Sequence, residues 1–155
     1  MQFENLNAIV DFAIEKEKEA AEFYEAASKE ESMSGSKEML LGFAQEERKH
    51  EDMLEKFKSG SIDESVSDYQ LKWIKDIRRS DYVVEMEYKK GMGYPELLML
   101  AMKREEAALK LYNELQDNSE SEDVKKIFKV LCQEEAKHKL ALETMYDDHM
   151  AKVGD

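Results

Sequence analysis

Phe43-Ala44-Gln45-Glu46-Glu47-Arg48-Lys49-His50 returns without a gap as Leu131-Cys132-Gln133-Glu134-Glu135-Ala136-Lys137-His138, each residue 88 positions after its counterpart. The same offset lays Ala13-Ile14-Glu15-Lys16-Glu17 over Ala101-Met102-Lys103-Arg104-Glu105, Tyr24 over Tyr112 and Leu54 over Leu142. One period is too few for a stacked solenoid, so the halves read as two copies of one unit packed about a pseudo-twofold axis. Apolar residues recur at steps of three and four through 5–31, 36–58, 95–117 and 121–151, which predicts four amphipathic helices. Ser32-Met33-Ser34-Gly35-Ser36 and Asp117-Asn118-Ser119-Glu120-Ser121 are turn and cap residues, so each pair of helices is expected to form an antiparallel hairpin. Pro95 suits the first turn of the third helix, where its missing N–H has no partner to lose. The stretch from about 59 to 94 is too long for a tight turn and carries Val66, Tyr69, Trp73, Ile74 and Ile77 at helical spacing. It reads as a crossover containing a short helix.

Composition agrees with helices and narrows the partners. The 155 residues fit one domain, 38% are charged and 42% hydrophobic, and 6 Gly and 1 Pro leave few breaks, as in long amphipathic helices. A net charge of −13 repels phosphate backbones and anionic headgroups, so no nucleic acid is expected as partner. No apolar run reaches the roughly 18 residues that would span a bilayer, so no membrane is expected either. Cys132 alone forms no internal disulfide, and Met1-Gln2-Phe3-Glu4-Asn5 lacks the pattern of a signal peptide, which places the chain in the cytoplasm as an expectation.

The repeat matters for the polar residues it keeps. Leu40, Phe43, Glu47, His50, Leu54 and Phe57 follow alternating three and four residue steps, and Phe128, Leu131, Glu135, His138, Leu142 and Met145 do the same. Ala13, Glu17, Ala20, Tyr24 and Leu98, Ala101, Glu105, Ala108, Tyr112 place one carboxylate in the apolar stripe of the first and third helices. Four carboxylates aimed at one axis are expected to have raised pKa values and to need a positive partner. Each core histidine stands three residues after a glutamate, so both side chains reach the same point from one face. Imidazole nitrogen with carboxylate oxygen suits iron or manganese, with zinc an alternative and calcium disfavoured. Six side chains exceed one tetrahedral ion and suffice for two ions that share carboxylates, whose charge would cancel that of the four glutamates.

One Glu from each of two helices with Glu-x-x-His from each of the other two is the pattern of ferritin-like di-iron carboxylate bundles. The expected fold is therefore all-α: a ferritin-like four-helix bundle of two antiparallel hairpins joined by a long crossover. Ala44-Gln45-Glu46-Glu47-Arg48-Lys49-His50 and Gln133-Glu134-Glu135-Ala136-Lys137-His138 resemble the ligand motifs of rubrerythrins, a likeness that spans both hairpins and leaves the crossover and tail unmatched. The resemblance implies Glu17, Glu47, His50, Glu105, Glu135 and His138 as ligands of two iron ions, with Glu47 and Glu135 bridging. It also implies reduction of hydrogen peroxide or dioxygen. Two departures stand out. A single cysteine leaves no paired Cys-x-x-Cys for the iron–sulfur domain usual in rubrerythrins, so electrons are expected from an external rubredoxin-like donor protein. Ala108 stands where rubrerythrins place an extra carboxylate, one turn after the third-helix ligand, which weakens a direct transfer of their peroxidase activity.

Tyr24 and Tyr112 lie seven residues after Glu17 and Glu105, and a buried hydroxyl beside a ligand carboxylate would steady it, so both join Glu47 and Glu135 as candidate catalytic residues. Glu19, Glu22, Glu46 and Glu134 read as solvated flank residues, Cys132 as a small buried hydrophobe and His149 as a surface residue. Three functions stay open: a di-iron oxidoreductase, an iron-binding ferroxidase in iron handling, and a metal-stapled or metal-free interaction module. The amphipathic crossover with Trp73 offers a surface for a second copy, so a homodimer is among the expected assemblies.

Overall fold

The computed structural model describes residues 6–30, 36–59, 92–119 and 121–153. The described residues form four α-helices, with no strand among them: α1 (Leu6–Ser28), α2 (Lys37–Ser59), α3 (Tyr94–Asn118) and α4 (Glu122–Val153). The short helix expected between 59 and 94 lies outside the described residues.

Local chemistry sets the helix ends. At the close of α1 the bonds tighten to i→i−3, Lys29 N to Ala26 O at 3.2 Å and Glu30 N to Ala27 O at 3.1 Å, and Ser28 Oγ donates to Glu25 O at 2.7 Å. Gly93 takes the extended N-cap conformation before α3 and its carbonyl accepts Leu97 N at 3.0 Å, with Pro95 in the first turn as the sequence predicts. Asn118 Nδ2 and Ser119 N supply donors to the carbonyls of Glu114 and Leu115 at the other end. Two residues on, Ser121 Oγ accepts Val124 N at 3.4 Å and opens α4, whose first turn carries Glu122 and Asp123 against the helix dipole.

α1 packs on α2 and α3 packs on α4, as two hairpins. Their apolar stripes meet in two clusters. One joins Ile9, Phe12 and Ala13 of α1 to Leu54 of α2, Leu111 and Leu115 of α3, and Phe128 and Leu131 of α4. The other joins Phe23 and Ala27 to Leu40 and Phe43, Leu97 and Leu98, and Leu142 and Met145. Each helix therefore runs from one cluster to the other: α1 and α4 from the first to the second, α2 and α3 from the second to the first. Ser59 and Tyr94 then stand at opposite ends of the bundle. That connectivity separates this four-helix bundle from an up-down bundle with short loops. Between the clusters lies a layer of buried polar side chains.

Gly42 occupies the interior of α2 where a Cβ would meet nothing within 4 Å. Gly42→Ala is expected to raise stability by about 0.5–1 kcal/mol through helix propensity alone, read as a higher Tm with unchanged helicity.

Candidate metal centre

Glu17 of α1, Glu47 and His50 of α2, Glu105 of α3, and Glu135 and His138 of α4 converge in the layer between the two apolar clusters, none more than 4% exposed. Each comes from the apolar stripe of its helix, so helical periodicity drives it inward with its leucine and phenylalanine neighbours. Their donor atoms fall into two groups, each within 4.8 Å: Glu17, Glu47, His50 and Glu135 in one, and Glu47, Glu105, Glu135 and His138 in the other. Glu47 and Glu135 belong to both.

The pseudo-twofold of the sequence appears in the geometry. His50 Nδ1 lies 2.8 Å from Glu135 Oε1 and 3.5 Å from Glu17 Oε2. His138 Nδ1 lies 2.7 Å from Glu47 Oε1 and 3.7 Å from Glu105 Oε1. Each histidine thus turns Nδ1 to the glutamate of the other hairpin as well as to its own neighbours. The two rings stack at 6.2 Å between centroids.

Tyr24 Oη donates to Glu105 Oε1 and Tyr112 Oη donates to Glu17 Oε1, both at 2.5 Å. Helical side chains lean toward the N-terminus, so each tyrosine, two turns past its own glutamate, reaches back into the polar layer and meets the glutamate of the facing helix. Burial first, and then the negative charge of Glu105 or Glu17, raises both phenols well above their ordinary value, so they keep their protons and stay donors.

Without metal the layer holds protons. Burial raises Glu47 and Glu105 well above the ordinary carboxylate range, helped by the charges of Glu17 and Glu135 respectively, and raises Glu17 with help from Glu135. Glu135 departs from the expectation that all four carboxylates shift upward. Burial pushes it up, but the polar groups of Glu105, His138 and His50 gathered around it, with His50 Nδ1 at 2.8 Å, outweigh this and hold it below the ordinary range. Burial alone would lower the histidines; instead their carboxylate partners, led by Glu135 for His50 and Glu105 for His138, push them up to about 10 and about 11.

Several buried atoms of the layer nevertheless lack a hydrogen-bond partner: Glu17 Oε2, Glu47 Oε1, Glu105 Oε2 and His138 Nδ1. Glu47 Oε1 and His138 Nδ1 are 2.7 Å apart, yet they approach out of line for an N–H···O bond, so proximity alone does not satisfy them. Buried atoms of this kind carry a desolvation cost that a cation placed among them would remove. The set of two imidazole nitrogens and carboxylate oxygens has the chemistry of an iron, manganese or zinc site.

Outside the layer the flank residues divide. Glu19 pairs with Lys16 at 2.9 Å and Glu134 with Lys137 at 3.4 Å, as surface residues do. Glu46, expected on the solvated flank, instead bonds His138 Nε2. The one sequence signal for it is its place beside Glu47, a signal its repeat mate Glu134 carries equally. Cys132 is buried, accepts Gln116 Nε2 at 3.2 Å, and is pushed by burial to about 11, which leaves it a protonated, inert thiol. His149 is half-buried, edge-on to Tyr94 at 4.9 Å between centroids.

An all-helical bundle with a buried layer of carboxylates and imidazoles defines a class of metal-binding helical proteins. Within that class the rubrerythrin family model matches residues 2–88 and 96–153, and the chain belongs to the rubrerythrin family. The match extends the likeness beyond the hairpins, through most of the connection between them and to the end of α4. Neither the comparison with curated proteins nor that with solved structures gave a match. No helix among the described residues is long and apolar enough to cross a membrane.

Proposed function

We propose that this chain is a di-iron carboxylate oxidoreductase that reduces hydrogen peroxide or dioxygen with electrons from an external, rubredoxin-like donor protein. The observation that carries the reading is that two buried donor groups share Glu47 and Glu135. In this reading Glu17, Glu47, His50 and Glu135 would hold one iron ion and Glu47, Glu105, Glu135 and His138 the other, with Glu47 and Glu135 common to both. Iron bound there would supply one-electron chemistry at each position, and hydrogen peroxide needs two electrons and two protons to become two waters.

The protein's part is orientation and exclusion. The apolar clusters above and below the layer keep bulk water from both faces. Tyr24 and Tyr112 hold Glu105 and Glu17 by one oxygen each, which leaves the other oxygen of each, Oε2, without a protein partner. The 155 residues are read as one domain working in the cytoplasm, with a homodimer as the assembly to test. Manganese and zinc fit the same donors, so metal identity belongs to the test.

Ala108 supports the second reading, an iron-binding ferroxidase. Its methyl packs against the first apolar cluster, so the third helix offers no carboxylate one turn after Glu105.

Stopped-flow mixing of Fe(II)-loaded protein with hydrogen peroxide and, separately, with dioxygen decides among them. Fast single-turnover oxidation by peroxide, with steady turnover only after a reduced rubredoxin-type donor is added, is the expected result. Fast oxidation by dioxygen alone, with release of Fe(III), favours the ferroxidase. If neither oxidant acts faster than on free Fe(II) in the same buffer, the oxidoreductase reading fails.

A further inference from the structure

The two halves repeat six candidate ligands and two tyrosines, yet they treat their histidines differently. Glu47 Oε1 lies 2.7 Å from His138 Nδ1, and the preceding residue, Glu46, bonds the opposite ring nitrogen, Nε2. One turn earlier Phe43 packs on the same ring at 4.5 Å between centroids. Phe43, Glu46 and Glu47 thus form a cradle on α2 that touches the face and both nitrogens of one imidazole of α4.

The repeat places Leu131, Glu134 and Glu135 at the equivalent positions of α4. Glu135 does approach His50 Nδ1, at 2.8 Å. The other two parts of the cradle are missing: the aromatic ring is replaced by Leu131, and Glu134 turns to Lys137 at 3.4 Å. Among the described residues no carboxylate bonds His50 Nε2. Lys49, the counterpart of Lys137, is exposed and leaves Glu46 to His138.

A histidine can offer Nδ1 to a metal only as the tautomer with its proton on Nε2, and a carboxylate that accepts this proton fixes both tautomer and ring angle. We propose that Glu46 is a positioning residue that braces His138 through Nε2, so that the two metal positions of the cluster are inequivalent, the one at His138 tighter than the one at His50. The inference rests on the metal-centre reading above. It adds that the near-symmetric sequence builds an asymmetric site. Glu46, with its side chain 45% exposed, also makes the brace the one link in the described residues from a cluster histidine to a half-exposed carboxylate.

Calorimetric titration of the metal-free full chain with Co(II), used as the probe ion, tests it apart from any activity. The wild-type chain should take up two ions with different affinities. Glu46→Ala should weaken one of them by about 10–100-fold and leave the other unchanged. Glu46→Gln should restore the wild-type curve, because its amide oxygen still accepts the Nε2 proton, and Glu134→Ala should change neither ion. In a His138→Ala background, which lacks the ring that Glu46 holds, Glu46→Ala should add nothing. Should Glu46→Ala fail to fold, Glu46→Lys keeps a long, exposed, helix-forming side chain, offers only donors, and should show the same one-ion loss.

Equal weakening of both ions, no weakening of either, or the same loss from Glu134→Ala overturns the brace while the metal centre stands. Failure of the wild-type chain to bind Co(II), or binding that survives replacement of both Glu47 and Glu135, overturns the metal-centre reading and the brace with it.

Discussion

Replacing Glu47 or Glu135 with alanine is expected to take bound metal from two ions per chain to fewer than one, whereas Glu17→Ala or Glu105→Ala should leave about one. The contrast follows from membership: Glu47 and Glu135 stand in both donor groups, Glu17 and Glu105 in one each. Loss of a shared donor leaves three residues in each group, and loss of an unshared one leaves the other group whole. The metal-free fold should respond in the opposite sense. Glu47 is held protonated there by burial and by the charges of Glu17 and Glu135, so its removal relieves crowding rather than breaking a charge pair. Glu47→Ala should therefore lose metal with little loss of apo stability beyond the cost of the space it leaves. Elemental analysis beside melting curves in chelator reads both. Equal metal content in Glu47→Ala and Glu17→Ala would remove the bridging assignment, and a collapsed apo fold would show the residue to be structural.

Stripping metal is the second large effect. Each ion present at about a hundred times its dissociation constant adds about 2.7 kcal/mol to the folded state, so two add about 5 kcal/mol. For a domain of this size that corresponds to a fall in Tm of about 10–20 °C on chelation.

The difference depends on pH in a definite direction. Glu17, Glu47 and Glu105 have folded pKa values above the unfolded 4.5, and His50 and His138, at about 10 and about 11, lie above the unfolded 6.5. The apo fold therefore binds more protons than the unfolded chain. Its stability falls as pH climbs past about 4.5 for the carboxylates and from about 6.5 to 11 for the histidines. Glu135 acts the other way, contributing above pH 4.5 and losing that contribution only as pH falls through its depressed folded value. Metal displaces the same protons, so its affinity rises with pH and the gap between apo and loaded protein should widen from about pH 5.5 to about pH 8.5. Melting curves with chelator and with saturating Mn(II) measure the gap. A constant or narrowing gap contradicts the protonated apo layer.

Much of this protein is legible in its amino-acid sequence, because helical periodicity reports which face of a helix each residue occupies. The three and four residue steps through Leu40, Phe43, Glu47, His50 and Leu54, repeated through Phe128, Leu131, Glu135, His138 and Leu142, are enough to set four helices and put the polar residues inward. The observed helices begin and end within about three residues of the predicted bounds, since Pro95 and Ser121 act on their own turns. The short helix expected after Ser59 lies outside the described residues.

Periodicity reports a face and is silent on what faces it, so partners across helices were decided by packing. Tyr24 meets Glu105 and Tyr112 meets Glu17 because α1 and α3 bring each ring back to the same layer from opposite sides. Glu135 stays below the ordinary carboxylate range, against the cost of its burial, because Glu105 and then two histidines from different hairpins converge on it, an arrangement that no linear spacing encodes. Glu46 and Glu134 stand in the same local sequence, Gln-Glu-Glu before Lys and His, and only the tertiary structure turns one to His138 and the other to Lys137. The repeat thus determined the residues of the layer and its near-symmetry, while the packing of four helices decided which atoms share protons and where the symmetry breaks.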